Sequence, residues 1–124
     1  MTDAQRAEQT PHPGSGLSVT TATTDDVRVL TLAGEIDHDT GGTLRQALDL
    51  SPTDRPRIVA DLRQVTFMDS SGINILLTAH HTATTAGGWL RLAAPTPAVL
   101  RTLQIVGIDE IIDCHPTLHD ALNG

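Results

Sequence analysis

The stretch that decides the fold of this chain reads Val65-Thr66-Phe67-Met68-Asp69-Ser70-Ser71-Gly72-Ile73. Its first four residues are apolar or β-branched, which is typical of a strand. The Asp-Ser-Ser that follows consists of residue types preferred at helix N-termini, and apolar residues at 73, 76 and 77 continue at helical spacing. The sequence therefore predicts that a strand ends here and a helix begins at once, with two hydroxyl groups in its first turn.

Strand patterns dominate the chain before this junction. Two alternating runs, residues 17–23 and 27–32, flank Asp25-Asp26 and predict an antiparallel pair whose second strand ends at Gly34. Residues 34–37 predict a turn, after which Asp37 or Asp39 would cap a helix with an apolar stripe. That stripe consists of Leu44, Ala47 and Leu48. Prolines at 52 and 56 mark a loop, and residues 57–62 then predict a buried strand.

After the junction, strands and helices alternate. The helix that begins near Ser70 is expected to stop at Gly87-Gly88, and residues 89–92 predict a strand. A helix entered through Pro95 and Pro97 should end at Gly107, followed by a short strand within residues 108–114 and a closing helix over residues 116–122. This order predicts an α/β fold: one domain over residues 17–124, with a mixed central sheet, an initial antiparallel hairpin and about four helices. Residues 1–16 have no hydrophobic block and predict a flexible N-terminal tail.

Composition excludes several classes of function. The chain has 124 residues and a formal net charge of −7, and its eight basic residues are all arginines spread along the sequence. Nucleic acid is therefore not an expected partner, and Phe67 and Trp89 are the only aromatic residues that could stack on bases. No apolar run approaches the roughly 20 residues of a membrane-spanning helix. Cys114 is the single cysteine, so we expect no intrachain disulfide and a reducing, cytoplasmic location.

The residues that stand out chemically are the two serines at the junction. Helix capping is the usual role of Ser and Asp at such a place. A serine at a helix N-terminus also has exposed amide donors and the positive end of the helix dipole beside it, which would favour a phosphate group. The two roles are compatible, because a phosphoserine could be held there without disrupting the fold.

Several segments, in register with one another, resemble the STAS family of anti-sigma-factor antagonists. The junction residues 67–72 carry the most specific part of this resemblance, and it extends over about residues 17–122. The other matching segments are Leu32-Ala33-Gly34-Glu35-Ile36-Asp37, Gly87-Gly88 and Leu103-Gln104-Ile105-Val106-Gly107-Ile108-Asp109.

The resemblance implies a non-enzymatic regulator of transcription with a protein partner and no cofactor. Family members bind an anti-sigma factor that is also an ATP-dependent serine kinase, and this partner switching frees the sigma factor, as in stress responses. By the match, the kinase would phosphorylate Ser70 and a phosphatase would reset the switch. The partner-binding residues implied are Asp37, Asp69, Ser70, Ser71, Gly72 and Ile73. Asn74 departs from the small residue, usually glycine, of many family members, which puts the choice of kinase in doubt.

Phosphorylation would change binding through charge. A phosphoserine adds about −1.5 to −2 charges at neutral pH. It would stand beside Asp69, and Asp37 is expected nearby. If repulsion and desolvation cost roughly 3 kcal/mol, affinity falls by about two powers of ten.

Three alternatives remain open at this stage. A scaffold or sensor STAS module would share the fold but have a different partner. A serine hydrolase would need a base and an oxyanion hole, yet Met68 stands where the usual motif has glycine, and no histidine can be assigned to Ser70. A metal site would use His115 and His119, four apart on the expected last helix, but no third ligand is indicated, and we expect no metal.

Overall fold

The computed structural model describes residues 16–49 and 55–123. The predicted tail at residues 1–16, apart from Gly16, and most of the proline-punctuated loop at 52–56 lie outside the described residues. The strands are β1 (Leu17–Thr24), β2 (Val27–Ile36), β3 (Arg57–Met68), β4 (Trp89–Ala93) and β5 (Asp113–His115). The helices are α1 (Gly41–Ala47), α2 (Ser70–Thr85), α3 (Pro97–Val106) and α4 (Leu118–Asn123), with a 3₁₀ turn at Ile108–Glu110.

The five strands form one mixed sheet in the order β1-β2-β3-β4-β5. The β1–β2 pair is antiparallel, and all other neighbours are parallel. A tight turn joins β1 to β2 through Asp25 and Asp26, both in the left-handed region with φ of 51° and 69°. The predicted fold class, including the initial hairpin and the four helices, is confirmed. Among the described residues no helix is long and apolar enough to cross a membrane.

Both faces of the sheet are covered, which explains why β3 is apolar in consecutive positions. On one face the main core joins β2, β3 and β4 to the helices α1, α2 and α3. On the other face a smaller cluster packs α4, through Ala121, against Val59 and Ala93. A strand buried on both faces loses the simple alternation of apolar and polar residues.

Two predictions around the first helix were wrong. Strand β2 does not end at Gly34 but continues to Ile36, so Gly34 and Glu35 pair with β3. Two register shifts in this pairing, each giving β3 an extra residue, accommodate the extension. Neither Asp37 nor Asp39 is the N-cap of α1; that position is Thr40, whose side chain makes no capping bond.

The C-terminal predictions were also partly wrong. Of residues 108–114, where a strand was expected, 108–110 form the 3₁₀ turn and only 113 and 114 belong to a strand, which is Asp113–His115. The closing helix begins at Leu118 rather than at residue 116. His115 therefore lies in a strand and His119 in a helix, so the pair of ligands on one helical face that the metal-site alternative requires does not form.

The first turn of α2 packs unusually close to the ends of β2 and β3, and Gly72 makes this possible. A Cβ atom at Gly72 would lie 2.5 Å from Ile36 Cγ2 and 2.9 Å from Met68 Cγ. Such distances are far inside van der Waals contact, so any side chain here would push the helix away from the sheet. Gly72 therefore fixes where the helix N-terminus, and with it Ser70, stands.

We predict that Gly72→Ala lowers the free energy of unfolding by about 1–3 kcal/mol, because overpacking forces Ile36 or the helix to move. Urea denaturation monitored by circular dichroism measures the change. Gly42→Ala is the matched control, since no atom lies within 4 Å of its added methyl group. A Gly72→Ala protein as stable as the Gly42→Ala protein would contradict this account of the junction.

Candidate partner-binding site

Ser70 is the first residue of α2 and its side chain is exposed. Among the described residues, its hydroxyl makes no hydrogen bond to another side chain. It is therefore available to a partner or a modifying enzyme. The sequence-predicted placement of this serine at a strand-to-helix junction is confirmed.

Asp69, and not a serine, caps α2. Its carboxylate Oδ1 accepts a hydrogen bond of 2.8 Å from the backbone N–H of Ser71, and its backbone is extended as an N-cap requires. Because Asp69 satisfies this amide, Ser70 is released from the capping role that its residue type favours. The cap also fixes the carboxylate of the residue that immediately precedes Ser70.

Asp37 organises the turn between β2 and α1. Its carboxylate Oδ1 accepts hydrogen bonds from the backbone N–H groups of Asp39 and Thr40, both at 3.0 Å. Thr40, which is buried, completes the turn: its hydroxyl accepts from the Asp37 N–H at 2.8 Å and donates to the Glu35 carbonyl at 2.9 Å. Asp37 is thereby held in one position at the end of β2.

Sheet register brings the two acidic turns together. Ile36 pairs with Met68, so Asp37 and Asp69 follow neighbouring parallel strands at the same sheet edge. The Asp69 N–H donates a 3.1 Å hydrogen bond to the Ile36 carbonyl, which continues the pairing beyond β3. The structure thus places Asp37, Asp69 and Ser70 along one edge, which the sequence predicted only by resemblance.

The remaining sequence-predicted residues differ in exposure. Ser71 is half-buried and lines a groove of about 940 Å³ between α1 and α2. Gly72 and Ile73 are buried, so they support the surface from below. Asn74, which replaces the small residue of many family members, lines the same groove, as do His38 and Arg45.

No sequence pattern assigned a site role to three residues that the structure places at the groove or exposes at the end of β3. His38 and Arg45 line the groove, and Phe67 is 47% exposed although it sits in an apolar run. Alternation explains Phe67: Met68 points into the core, so its neighbour points to the opposite face. The pairing of Phe67 with Glu35, next to a register shift, could not be read from the sequence.

The serine-hydrolase and metal-site alternatives each require a specific arrangement of side chains. No hydrogen bond joins the Ser70 hydroxyl to a histidine within residues 16–49 and 55–123, so the pair that activates a serine nucleophile is not formed there. In the same part of the chain, no group of three His, Cys, Asp or Glu residues is placed to hold a metal ion.

Cys114 lies in β5, in agreement with the prediction that it is a strand residue. Burial, together with the negative charges of Asp109 and Asp113, raises the pKa of its thiol from an ordinary value of 9.0 to about 11. A thiol of this kind is protonated at neutral pH and is a poor nucleophile.

The fold and the junction define the class of this protein: it belongs to the STAS domain family, whose model matches residues 18–121. The chain is 33% identical over 111 residues to the anti-sigma-F factor antagonist RsfB of Mycobacterium tuberculosis, covering 87% of this chain and 88% of the relative. It is 31% identical over 98 residues to an anti-sigma F factor antagonist of Paenibacillus polymyxa, covering 77% and 84%.

A solved structure of an antagonist has the same fold as this chain. The crystal structure of an anti-sigma factor antagonist from Mycobacterium paratuberculosis superposes with a TM-score of 0.80 at 32% identity, covering 92% of this chain and 97% of that one. The similarity therefore extends over nearly all of both chains and includes the strand-to-helix junction.

We predict that Thr40→Val lowers the free energy of unfolding by about 1–3 kcal/mol, since it leaves the Asp37 N–H and the Glu35 carbonyl without their buried partner. Thermal or urea unfolding measures the loss. Thr43→Val is the control, because it makes the same substitution at an exposed position of α1. Equal stability of the two variants would show that the Thr40 hydroxyl does not hold the turn.

We also predict that Cys114 in the folded protein reacts with N-ethylmaleimide about 100-fold more slowly at neutral pH than the same thiol in urea. A pKa higher by two units leaves that much less thiolate. The Cys114 thiol should leave the free energy of unfolding unchanged below pH 9 and lower it as the pH rises towards 11, because in that range only the thiol of the unfolded chain ionises. Equal reactivity in both states would refute the burial of this thiol.

Proposed function

We propose that this chain is an anti-sigma-factor antagonist. It binds an anti-sigma factor that is also a serine kinase, so that the sigma factor is released, and phosphorylation of Ser70 ends this binding. The observation that carries the proposal is an exposed serine, without a hydrogen-bond partner among the described residues, that directly follows the capping residue Asp69 at the sheet edge shared with the Asp37 turn, in a STAS protein. Relatives that are 33% and 31% identical over most of the chain are named as antagonists of this kind.

The accessible position of Ser70 supports its role as a kinase substrate. A kinase must bring its γ-phosphate in line with the attacking hydroxyl, which requires a side chain that stands clear of the fold. Ser71, one residue later, is half-buried and lines the groove. The two serines of the junction are therefore unequal, and Ser70 is the better acceptor.

The ordering of Asp37 and Asp69 supports the switch. Both carboxylates are fixed by hydrogen bonds to backbone amides, so they cannot swing away from a new negative charge. The helix dipole favours a phosphate at Ser70 in the free protein. In a complex, however, the dianion and the carboxylates would be pressed together under a partner surface that excludes water, where repulsion is strongest.

The groove beside Ser71 supports binding of a protein partner over an extended surface and not only at Ser70. It runs from the Ser70 end of α2 along α1, and its polar lining includes His38, Arg45 and Asn74. We assign the choice among kinases to these side chains. A phosphatase that resets the switch would approach the same edge, since the phosphate stands outside the fold.

The decisive experiment compares the native protein with Ser70→Ala and Ser70→Asp, using anti-sigma-factor kinases from the same cell and isothermal titration calorimetry. We predict that Ser70→Ala keeps full affinity but accepts no phosphate, whereas Ser70→Asp loses about two powers of ten in affinity, equal to roughly 3 kcal/mol. Ser71→Ala is the matched control and should still be phosphorylated. Mass spectrometry locates the phosphate.

Two outcomes would contradict the proposal. Equal affinity of the native, Ser70→Ala and Ser70→Asp proteins would remove the switch and favour a STAS scaffold or sensor module that is not released by phosphorylation. Labelling of Ser70 by a fluorophosphonate probe would favour a serine hydrolase instead.

A further inference from the structure

Exposed aliphatic side chains concentrate at the C-terminal end of α3. Among the described residues, four large apolar side chains are exposed, and three of them lie between positions 105 and 111. Ile105 is 76% exposed, and Val106 and Ile111 are each 53% exposed. Single exposed apolar residues need no explanation, but a group held within one short segment of a folded domain is typical of an interaction surface.

The backbone of this segment is ordered, so the exposure does not result from a frayed helix end. Gly107 ends α3 in the left-handed conformation with φ of 82°, and the 3₁₀ turn follows at once. The N–H groups of Ile111 and Ile112 both donate to the Ile108 carbonyl, at 2.9 and 2.8 Å. Ile108 and Ile112 are buried, and they anchor the turn that carries the exposed residues.

The same segment of the chain carries three carboxylates. Asp109, Glu110 and Asp113 are exposed, and none of them forms an ion pair with a described residue. Asp109 and Asp113 lie close enough to Cys114 to raise the pKa of its thiol. Arg101, one helical turn before Ile105, is the last arginine or lysine of the chain. The field of this surface is therefore negative.

We infer that Ile105, Val106 and Ile111, with Asp109, Glu110 and Asp113, form a second docking surface, the 105–113 patch, for a partner segment that presents aliphatic side chains flanked by lysine or arginine. Aliphatic burial supplies affinity, and the carboxylates select the basic flank. A second copy of this chain is a less suitable occupant, because its own Asp109, Glu110 and Asp113 would repel the same three carboxylates of the first copy. Residues 1–15 are also a less suitable occupant, because their side chains are mostly small and polar and include two acidic residues, Asp3 and Glu8, but only one arginine, Arg6.

The 105–113 patch lies away from Ser70. Helix α3 starts near the junction edge, where the Thr96 hydroxyl donates to the Val65 carbonyl at 3.0 Å. It then runs back along the sheet for ten residues, about 15 Å at the rise of an α-helix. A partner on the patch therefore does not cover Ser70, and its binding is independent of phosphorylation there.

The test uses the full chain and a synthetic amphipathic peptide with leucines on one face and lysines on the other, monitored by ¹H–¹⁵N correlation spectra. We expect saturable binding that shifts the resonances of residues 105–113 and weakens as salt is added. Ile105→Ser combined with Ile111→Ser should weaken binding at least about tenfold. Gln104→Ser, at an exposed neighbouring position of α3, is the matched control and should bind normally, as should Ser70→Asp.

A second peptide, with glutamates in place of the lysines, tests the charge argument and should not bind. Equal binding of both peptides, shifts centred on the groove between α1 and α2, or a loss of binding in Ser70→Asp would overturn the proposal. Self-association that increases with concentration in sedimentation experiments and disappears in the Ile105→Ser, Ile111→Ser protein would also overturn it, because the occupant would then be a second copy. These results do not depend on whether Ser70 is phosphorylated.

Discussion

The close approach of the α2 N-terminus to the ends of β2 and β3 is the constraint on which the rest of the structure depends. Because Gly72 has no side chain, Ile36 and Met68 can pack directly against the helix backbone, and the hydrogen bond from the Asp69 N–H to the Ile36 carbonyl joins the start of α2 to the end of β2. The strand-to-helix junction cannot move relative to the neighbouring strand while these contacts hold. Ser70 is therefore presented by a rigid corner of the fold, although it is itself exposed.

The acidic residues of this corner have a structural role as well as an electrostatic one. Asp69 caps α2 and Asp37 holds the turn before α1, so each carboxylate is fixed by backbone amides. A charge that is fixed in this way cannot relax when a second negative charge arrives. In the proposed switch, the same hydrogen bonds that stabilise the fold would make the edge sensitive to phosphorylation.

The 105–113 patch shows a different way of building a surface. There, buried isoleucines at 108 and 112 fix a short turn, and the residues between and beside them are held outward. The junction edge has an exposed hydroxyl and a groove with polar side chains, whereas the patch has exposed aliphatic side chains and carboxylates that form no ion pair with a described residue. The patch lies at the C-terminal end of α3, whereas the N-terminal end of that helix is hydrogen-bonded to β3 near the junction, so one domain carries two chemically distinct surfaces.

Local sequence by itself determined the element order, the strand-to-helix junction at residues 65–73, the start of α3 near Pro95 and Pro97, and its end at Gly107. These features depend on propensities and caps that act within a few residues. Only the tertiary structure decided that β2 continues to Ile36, that Thr40 rather than an aspartate occupies the N-cap position of α1, and that residues 108–110 form a 3₁₀ turn. The register between β2 and β3 set the neighbouring positions of Asp37 and Asp69, because pairing between distant segments leaves no trace in local spacing.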